Sequence, residues 1–328
     1  MADSAVKQGS QPELKRVMGP GLLLLFIVGD ILGTGVYALT GDVAAEVGGA
    51  AWVPFLIAFL IALVTALSYL ELVTKYPQAA GAALYTHKAF GIHFLTFLVA
   101  FVVMCSGITS ASTASRFFAS NFFKGFHISW GTAGIVGLAL LFMGLLALVN
   151  LRGVGESVKL NVALTIIEIS GLLLVILVGL WAFTRSADVD FARVVAFDTA
   201  TDKNTFVAVT AATSLAFFAM VGFEDSVNMA EETKDPARIF PRILLSGLTI
   251  AGVVYVLVSI VAVALVPVGT LADSDTPLVE VVKAGAPGLP IEDILPFISM
   301  FAEVNIAVLV QQYIVAGGLM CSVCCCGR

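Results

Sequence analysis

GDILGTGV, residues 29–36, interrupts the first long apolar run of the chain with an acid and two closely spaced glycines. Each glycine disfavours an α-helix by roughly 1 kcal/mol relative to alanine and lets other groups approach the backbone. If the helix unwinds at 33–35, its freed amide N–H groups can face an anion, and its freed carbonyls can take an ammonium group or a metal cation. The alternative is a close helix–helix packing motif, which small residues also serve.

FFAMVGFED, residues 217–225, repeats this theme in the sixth apolar run, with Gly222 among aromatic residues and two acids behind it. A helix broken near Gly222 would expose backbone polar groups beside Phe218 and Phe223. The two interruptions lie five runs apart, in the first and sixth runs, and because five is odd, a second copy of a five-helix unit would have inverted topology. Secondary transporters of this kind place their binding site near the bilayer midplane, between broken helices.

The composition excludes most other classes of protein. Hydrophobic residues make up 59% of the 328 residues and charged residues 12%, with a mean hydropathy of +1.01. A soluble domain is about 45–50% apolar and about 25% charged, so one soluble core could not bury this much apolar surface. The net charge of -6 disfavours nucleic acid as a partner. Long unbroken apolar runs predict an all-α polytopic membrane protein whose partner is the lipid bilayer.

Eight apolar runs are long enough to cross a bilayer. Eleven of the 17 Lys and Arg residues fall on the side that would carry both chain ends and six on the other, which predicts that both ends lie in the cytoplasm. The expected location is the plasma (inner) membrane. The predicted organisation is a tail at 1–18, a membrane domain at 19–320 with repeats at 19–183 and 206–320, and a cysteine-rich tail at 321–328. The predicted spans are 20–40, 52–73, 89–119, 131–150, 160–183, 206–230, 241–266 and 294–320.

Acidic residues at membrane depth are costly and usually face the interior of the helix bundle. Their own spans contain no Lys or Arg, which favours a path for cations or protons. Under the alternative, each acid is hydrogen-bonded within the bundle or lies near an interface. We predict no metal site and no cofactor, and a proton or sodium ion as the coupling ion. The acids are Asp30, Glu168, Glu224, Asp225 and Glu303.

Three stretches resemble the amino acid–polyamine–organocation (APC) transporter superfamily. Gly33-Thr34-Gly35-Val36 is similar to the small-residue break in helix 1 of that superfamily. Ser68-Tyr69-Leu70-Glu71-Leu72, followed by Tyr76-Pro77 and by Ala80-Gly81 through Tyr85, is similar to its segment after helix 2. The third stretch, 217–242, resembles its pattern at the end of helix 6 and is the most specific of the three.

The resemblance implies an inverted-repeat (LeuT-like) fold with about eight of the usual twelve helices present. It implies alternating-access transport of amino acids or related amines, usually coupled to protons, and no enzymatic activity. It places the substrate carboxylate on helix 1 amides, the ammonium on carbonyls of helices 1 and 6, and a gating aromatic at Phe218 or Phe223. The implied substrate-binding residues are Asp30, Ile31, Gly33, Thr34, Gly35, Val36, Phe218, Ala219, Gly222 and Phe223. Gating or structural contacts on the cytoplasmic side are implied for Glu71, Glu231, Glu232, Pro236, Pro241 and Arg242, with Arg152 and Arg238 as further partners for the acids.

Two departures from the superfamily pattern bear on function. Glu168 stands where several proton-coupled relatives carry a lysine, so Glu168 or Asp30 is the predicted carrier of the coupling proton. Asp30 could instead pair with a second cationic group on the substrate. The cysteine-rich stretch 321–328 does not resemble the loop expected after helix 8, so we expect a truncated or frame-shifted chain. A non-transporting membrane fragment and a channel remain as alternatives to a transporter.

Overall fold

The fold was analysed in a computed structural model of the chain. The structure describes residues 16, 18–78, 81–126, 128, 130–150, 154–185, 189–198, 204–274, 276–287, 298, 300 and 304. Predictions for the 1–18 tail (apart from residues 16 and 18), for Glu303 and for the 321–328 tail lie outside these residues.

The described residues form eleven α-helices. Two 3-10 segments, Gly49–Ala51 and Asp225–Glu232, follow α1 and α8. The helices are α1 (Pro20–Val47), α2 (Trp52–Lys75), α3 (Gly81–Phe90), α4 (His93–Gly125), α5 (Thr132–Asn150), α6 (Val154–Thr184), α7 (Phe191–Val195), α8 (Thr205–Ala219), α9 (Pro236–Leu265), α10 (Val268–Asp273) and α11 (Pro277–Gly285).

The all-α polytopic fold class is confirmed. Five helices are long and apolar enough to cross a membrane, namely α1, α4, α9, the Asn161–Thr184 part of α6, and α2 together with the preceding 3-10 turn. Thr132–Leu148 and α8 are shorter apolar helices. The eight-span count and the inverted repeat stay predictions, because nearly all of 294–320 lies outside the described residues.

The structure corrects the boundaries of several predicted spans. α1 continues to Val47, beyond the predicted end at 40. The predicted span 89–119 is instead α4, and a separate helix α3 precedes it, because Gly91 adopts a positive φ of 65° between the two. α9 begins at Pro236 rather than at 241, since proline is well tolerated in a first helical turn. Helix α8 ends at Ala219, within the predicted span 206–230, in agreement with the break expected near Gly222.

Helix α1 lies at the centre of the main core and packs against α6, α8, α9, α10 and α11. Helix α2 covers α8 and α9 from another side, whereas α4 packs against α3 and α5. Large apolar side chains are exposed along α2, α4 and α5, as expected for surfaces that meet lipid. This arrangement places the glycine-bearing stretch of α1 and the turn after α8, which contains Gly222, deep in the bundle.

Backbone hydrogen bonds tie α1 to neighbouring segments beyond both of its ends. Before α1, the buried Met18 donates its N–H to the Glu232 carbonyl and accepts from the Lys234 N–H, both at 3.0 Å. After α1, the Ala50 N–H donates to the carbonyl of Ala196 at 3.1 Å, next to α7. Both ends of the broken helix are therefore held by pairing with distant parts of the chain.

Candidate functional site

The first break lies within α1 at Gly33, whose φ of -3° and ψ of -164° are not helical. Of the two alternatives left open for 33–35, an interruption of the helix is seen at Gly33. Close packing of a small residue against another helix is seen as well, at Gly35. In a regular helix each carbonyl accepts from the N–H four residues later, so a non-helical residue interrupts this ladder. The carbonyls just before Gly33, including that of Ile31, therefore lie where partners from other helices can bind them.

The second break follows the end of α8 at Ala219 and consists of the turn 220–224 and the 3-10 segment Asp225–Glu232. Gly222 has a φ of 133°, which side-chain-bearing residues rarely adopt. Its carbonyl accepts from the Asp225 N–H at 3.0 Å, and its N–H donates to the Glu224 carboxylate at 3.0 Å. The predicted break near Gly222 is confirmed, and Glu224 helps to hold its shape.

The two breaks face each other at very short range. A Cβ atom added to Gly222 would lie 2.5 Å from the carbonyl oxygen of Asp30 on α1. A Cβ atom added to Gly35 would lie 2.6 Å from the Cα of Ala219, the last residue of α8. Both glycines are needed because the opposing backbone occupies the space of a side chain. The structure thus brings together the two stretches that the sequence marks as interrupted.

Tyr255 of α9 joins the two breaks through its hydroxyl group. The hydroxyl donates to the Ile31 carbonyl at 2.5 Å and lies within hydrogen-bond distance, 2.9 Å, of the Ala219 carbonyl. The side chain is fully buried, and its ring packs edge-on against Phe55 of α2, with the centroids 5.8 Å apart. One hydroxyl therefore serves a carbonyl beside each break, where helical hydrogen bonding is interrupted.

Four of the predicted acids lie close enough for their charges to interact. The carboxylate of Asp30 is within electrostatic range of Asp225, Glu224 and Glu168. Its Oδ2 atom is buried and has no hydrogen-bond partner among the described residues. Glu168 of α6 is fully buried, and its backbone carbonyl accepts from the hydroxyl of Tyr37 at 3.2 Å. The acids on α1, α6 and the second break thus converge on one region.

The two candidate gating aromatics differ in their surroundings. Phe223 is buried, with its ring edge-on to Tyr69 of α2 and the centroids 6.1 Å apart. Tyr69 in turn packs edge-on against Tyr85 of α3 at 6.2 Å. Phe218 is 51% exposed within the described structure. Phe223 is therefore fixed in the core beside the acids, whereas Phe218 is accessible.

The remaining predicted substrate-binding residues lie along the first break. Ile31 and Val36 are buried in the main core. The side chain of Thr34 is outside the described part of the structure. Gly33, Gly35, Ala219 and Gly222 contribute backbone and close packing, as described above.

The acids of the predicted cytoplasmic motif differ in their burial. Glu71 is exposed at the end of α2, whereas Glu232 is buried at the end of the 3-10 segment. Burial, reinforced by the neighbouring charge of Glu231, raises the pKa of the Glu232 carboxyl. This carboxyl therefore binds its proton more tightly than an exposed glutamate does.

The other residues of this motif begin α9. Pro236 is its first residue, Pro241 lies within the helix, and Arg242 is exposed. In the described part of the chain, no ion pair connects Arg238 or Arg242 with Glu231 or Glu232. Arg152 lies outside that part. The expected ion pairs with the two described arginines are therefore not seen, and Glu232 is held by its burial and by the backbone hydrogen bond from Met18.

Sequence reasoning missed Tyr255. The available signal is a lone tyrosine in the apolar run 241–266, because a buried tyrosine hydroxyl normally finds a hydrogen-bond partner. Nothing in the sequence indicates that this partner would be a pair of carbonyls on two other helices. In the described residues, no group of three or more His, Cys, Asp or Glu residues is arranged to hold a metal ion.

The chain is similar to several characterised transporters. It is 31% identical to cationic amino acid transporter 9, chloroplastic, of Arabidopsis thaliana, over 95% of this chain and 56% of that protein. It is 27% identical to the branched-chain amino acid permease BcaP of Bacillus subtilis, over 84% of this chain and 60% of that protein. It is 30% identical to the L-methionine/branched-chain amino acid exporter YjeH of Escherichia coli, over 91% and 68%.

The chain thus spans a little over half the length of the first two of these relatives. Residues 22–324 match the sequence profile of the amino acid permeases. This match confirms the resemblance to the APC superfamily and the expectation of a transporter family rather than an enzyme family. The chain belongs to the amino acid permease family.

Proposed function

We propose that this protein is a secondary active transporter that moves amino acids or related amines across the plasma (inner) membrane by alternating access. The names of the relatives support amino acids as substrates, since they refer to cationic amino acids, branched-chain amino acids and L-methionine. We also propose that the coupling ion is a proton, with sodium as the other candidate, and that both chain ends are cytoplasmic.

The observation that carries the proposal is the pair of breaks that face each other across Gly35–Ala219 and Gly222–Asp30. A small zwitterion needs donors for its carboxylate and acceptors for its ammonium group. Backbone beside interrupted helices supplies both, and helix termini add favourable partial charges. The nearby acids Asp30 and Asp225 add negative charge that favours the ammonium end.

Reconstitution of the full chain in proteoliposomes tests this function. Vesicles loaded with unlabelled leucine, lysine or methionine should accumulate the same labelled amino acid by counterflow. A Gly35→Val variant should lose this exchange, because its side chain would collide with Ala219. The control is Gly144→Val on α5, where a Cβ meets nothing within 4 Å. A non-transporting fragment would bind substrate without counterflow, and a channel would give an ohmic current.

For the coupling ion, we propose that Glu168 or Asp30 carries the proton. Glu168 is fully buried, and the Oδ2 atom of Asp30 is buried, so each carboxyl can exchange a proton shielded from bulk water. In Glu168→Gln, uphill uptake driven by a pH gradient should fall while counterflow without a gradient persists. In Asp30→Asn both should fall, because Asp30 also lies at the proposed ammonium site. Unchanged pH-driven uptake in both variants would assign coupling to another group or to sodium.

The orientation of the chain can be tested by labelling introduced cysteines in intact cells. Cysteine at Lys88, in the last turn of α3, should be protected from an impermeant maleimide, whereas cysteine at Arg193, in α7, should react. The five native cysteines, Cys105 and the four in the 321–328 tail, would be replaced by alanine in both variants. The reverse labelling pattern would place the chain ends outside.

A further inference from the structure

The buried hydroxyl of Tyr85 requires a partner that the described protein atoms do not supply. Tyr85 of α3 is 4% exposed, and its hydroxyl oxygen is buried without a hydrogen bond to any described residue. Burial raises the pKa of this hydroxyl well above its usual value, so it stays protonated. Leaving such a group unpaired is unfavourable, and in native proteins it usually indicates a water, ion or ligand.

The surroundings of Tyr85 show what kind of partner fits. Its ring packs edge-on against Tyr69 at 6.2 Å, and the two hydroxyl groups are close enough to interact electrostatically. The charges of Glu224 and Asp225 reach the Tyr69 hydroxyl in turn. Electrostatic interactions thus connect the hydroxyl of Tyr85, through that of Tyr69, with the acids of the second break, and we call these oxygen-bearing groups the oxygen row.

This row has a consistent charge and chemistry. It offers hydroxyl and carboxylate oxygens together with the aromatic rings of Tyr69 and Tyr85, and the groups that act electrostatically on Tyr69 are both acidic. Ammonium groups favour such sites because they donate to oxygen and are attracted to aromatic rings. Glu224 already accepts from the Gly222 N–H, which leaves Asp225 as the acid best suited to a ligand.

The parts of α2 and α3 that carry Tyr69 and Tyr85 are also packed directly against the second break. A Cβ atom on Gly81, at the start of α3, would lie 3.0 Å from the side-chain oxygen of Asn228 in the 3-10 segment. Phe223 packs against Tyr69 from the second break at 6.1 Å. The tyrosines are therefore held against the break by direct packing between α2, α3 and the 3-10 segment.

We propose that Tyr85, Tyr69 and Asp225 form a second binding subsite, adjacent to the two breaks, which holds the ammonium group of a primary amine as it passes between the breaks and α3. The subsite rests on the proposed transport function. It would bind the ammonium group of the substrate and would not require a carboxylate on the same molecule.

The test is inhibition of leucine counterflow in proteoliposomes containing the full chain. The probe is 1,4-diaminobutane, which carries ammonium groups and no carboxylate. The reference inhibitor is 4-methylpentanoate, which carries a carboxylate and no ammonium group. In the Tyr85→Phe variant, the concentration of diaminobutane that gives half-inhibition should rise approximately tenfold, because a hydrogen bond to a charged group is lost. The concentration of 4-methylpentanoate that gives half-inhibition should not change. The Tyr69→Phe variant should also raise the half-inhibitory concentration of diaminobutane. It tests the subsite if the Tyr85→Phe protein does not fold.

Tyr76→Phe is the matched control, since it removes a tyrosine hydroxyl at the end of α2 beside Lys75 and Lys88 and should shift neither inhibitor. An unchanged diaminobutane value in the tyrosine variants would overturn the subsite and leave a buried water as the partner of Tyr85. Equal shifts for both inhibitors would also overturn it, because they would indicate a general change of structure. Absence of leucine counterflow in the wild type would instead reject the proposed function itself.

Discussion

Replacing Tyr255 with phenylalanine should destabilise the contact between the two breaks without disturbing the packing around it. The ring keeps its edge-on contact with Phe55 at 5.8 Å, and only the hydroxyl is lost. The carbonyls of Ile31 and Ala219, at 2.5 and 2.9 Å from that hydroxyl, then have no donor from α9. A buried polar group left unpaired costs about 1–3 kcal/mol, and one hydroxyl proton serves both carbonyls, so the same range applies to the pair.

For a chain of this length, a loss of ~2 kcal/mol corresponds to a fall in the thermal midpoint of roughly 3 °C. The midpoint can be followed by fluorescence-detected size-exclusion chromatography of the detergent-solubilised protein. Leucine counterflow measured on the same samples should show a raised KM, because the carbonyls proposed to bind the ammonium group are no longer held. The Tyr76→Phe protein supplies the baseline for a tyrosine hydroxyl outside the site. A Tyr255→Phe midpoint within about 1 °C of wild type, together with an unchanged KM, would refute the bridging role.

Three further predictions concern the second break and the segment after it. Gly222→Ala should abolish counterflow, because its Cβ would lie 2.5 Å from the Asp30 carbonyl at a φ of 133°; Gly144→Ala is the control, and full activity of the first variant would exclude close contact of the breaks. Glu232→Gln should stabilise the protein near pH 8 but not near pH 4. The pKa of the folded carboxyl is raised, so its favourable effect exists below the unfolded pKa and is lost as pH rises through the folded pKa. Thermal midpoints across this pH range check the sign, and a stabilisation that grows toward low pH would contradict it. Met18→Pro should lower the thermal midpoint, since it removes the N–H that donates at 3.0 Å to the Glu232 carbonyl at a cost of about 1–3 kcal/mol; Met18→Leu should not.

The sequence was sufficient to predict the fold class, and it marked the positions of both helix breaks, with close helix packing as the alternative at 33–35. Composition alone requires lipid as the main solvent, and glycine at 33 and 222 marks the places where a helix is weakest. These are local properties, which depend on a residue and its neighbours in the chain. The end of α8 at Ala219 and the 3-10 segment behind it were less predictable, because the apolar character of the run 206–230 continues past the break.

Long-range contacts could not be predicted. Tyr255 lies 224 residues from Ile31 and 36 from Ala219, and its role depends on the packing of α9 against α1. The pairing of Met18 with the chain around Glu232 has the same origin, since backbone groups carry no sequence signal for their partners. Helix α3 was missed because its pattern is weakly apolar and a single glycine, Gly91, separates it from α4.

The single proton of the Tyr255 hydroxyl has a consequence for any movement of α1 against α8. Two carbonyls lie within reach, at 2.5 Å and 2.9 Å, but a hydroxyl can donate fully to only one of them at a time. If the breaks separate, rotation about the Cζ–Oη bond of Tyr255 can turn the hydroxyl proton toward either carbonyl. The donor is therefore not left unpaired. A fixed pair of hydrogen bonds would have to be broken outright at about 1–3 kcal/mol for each buried group left without a partner. We infer that a lone tyrosine anchored on a third helix lowers the cost of changing the shape of the site, which alternating access requires.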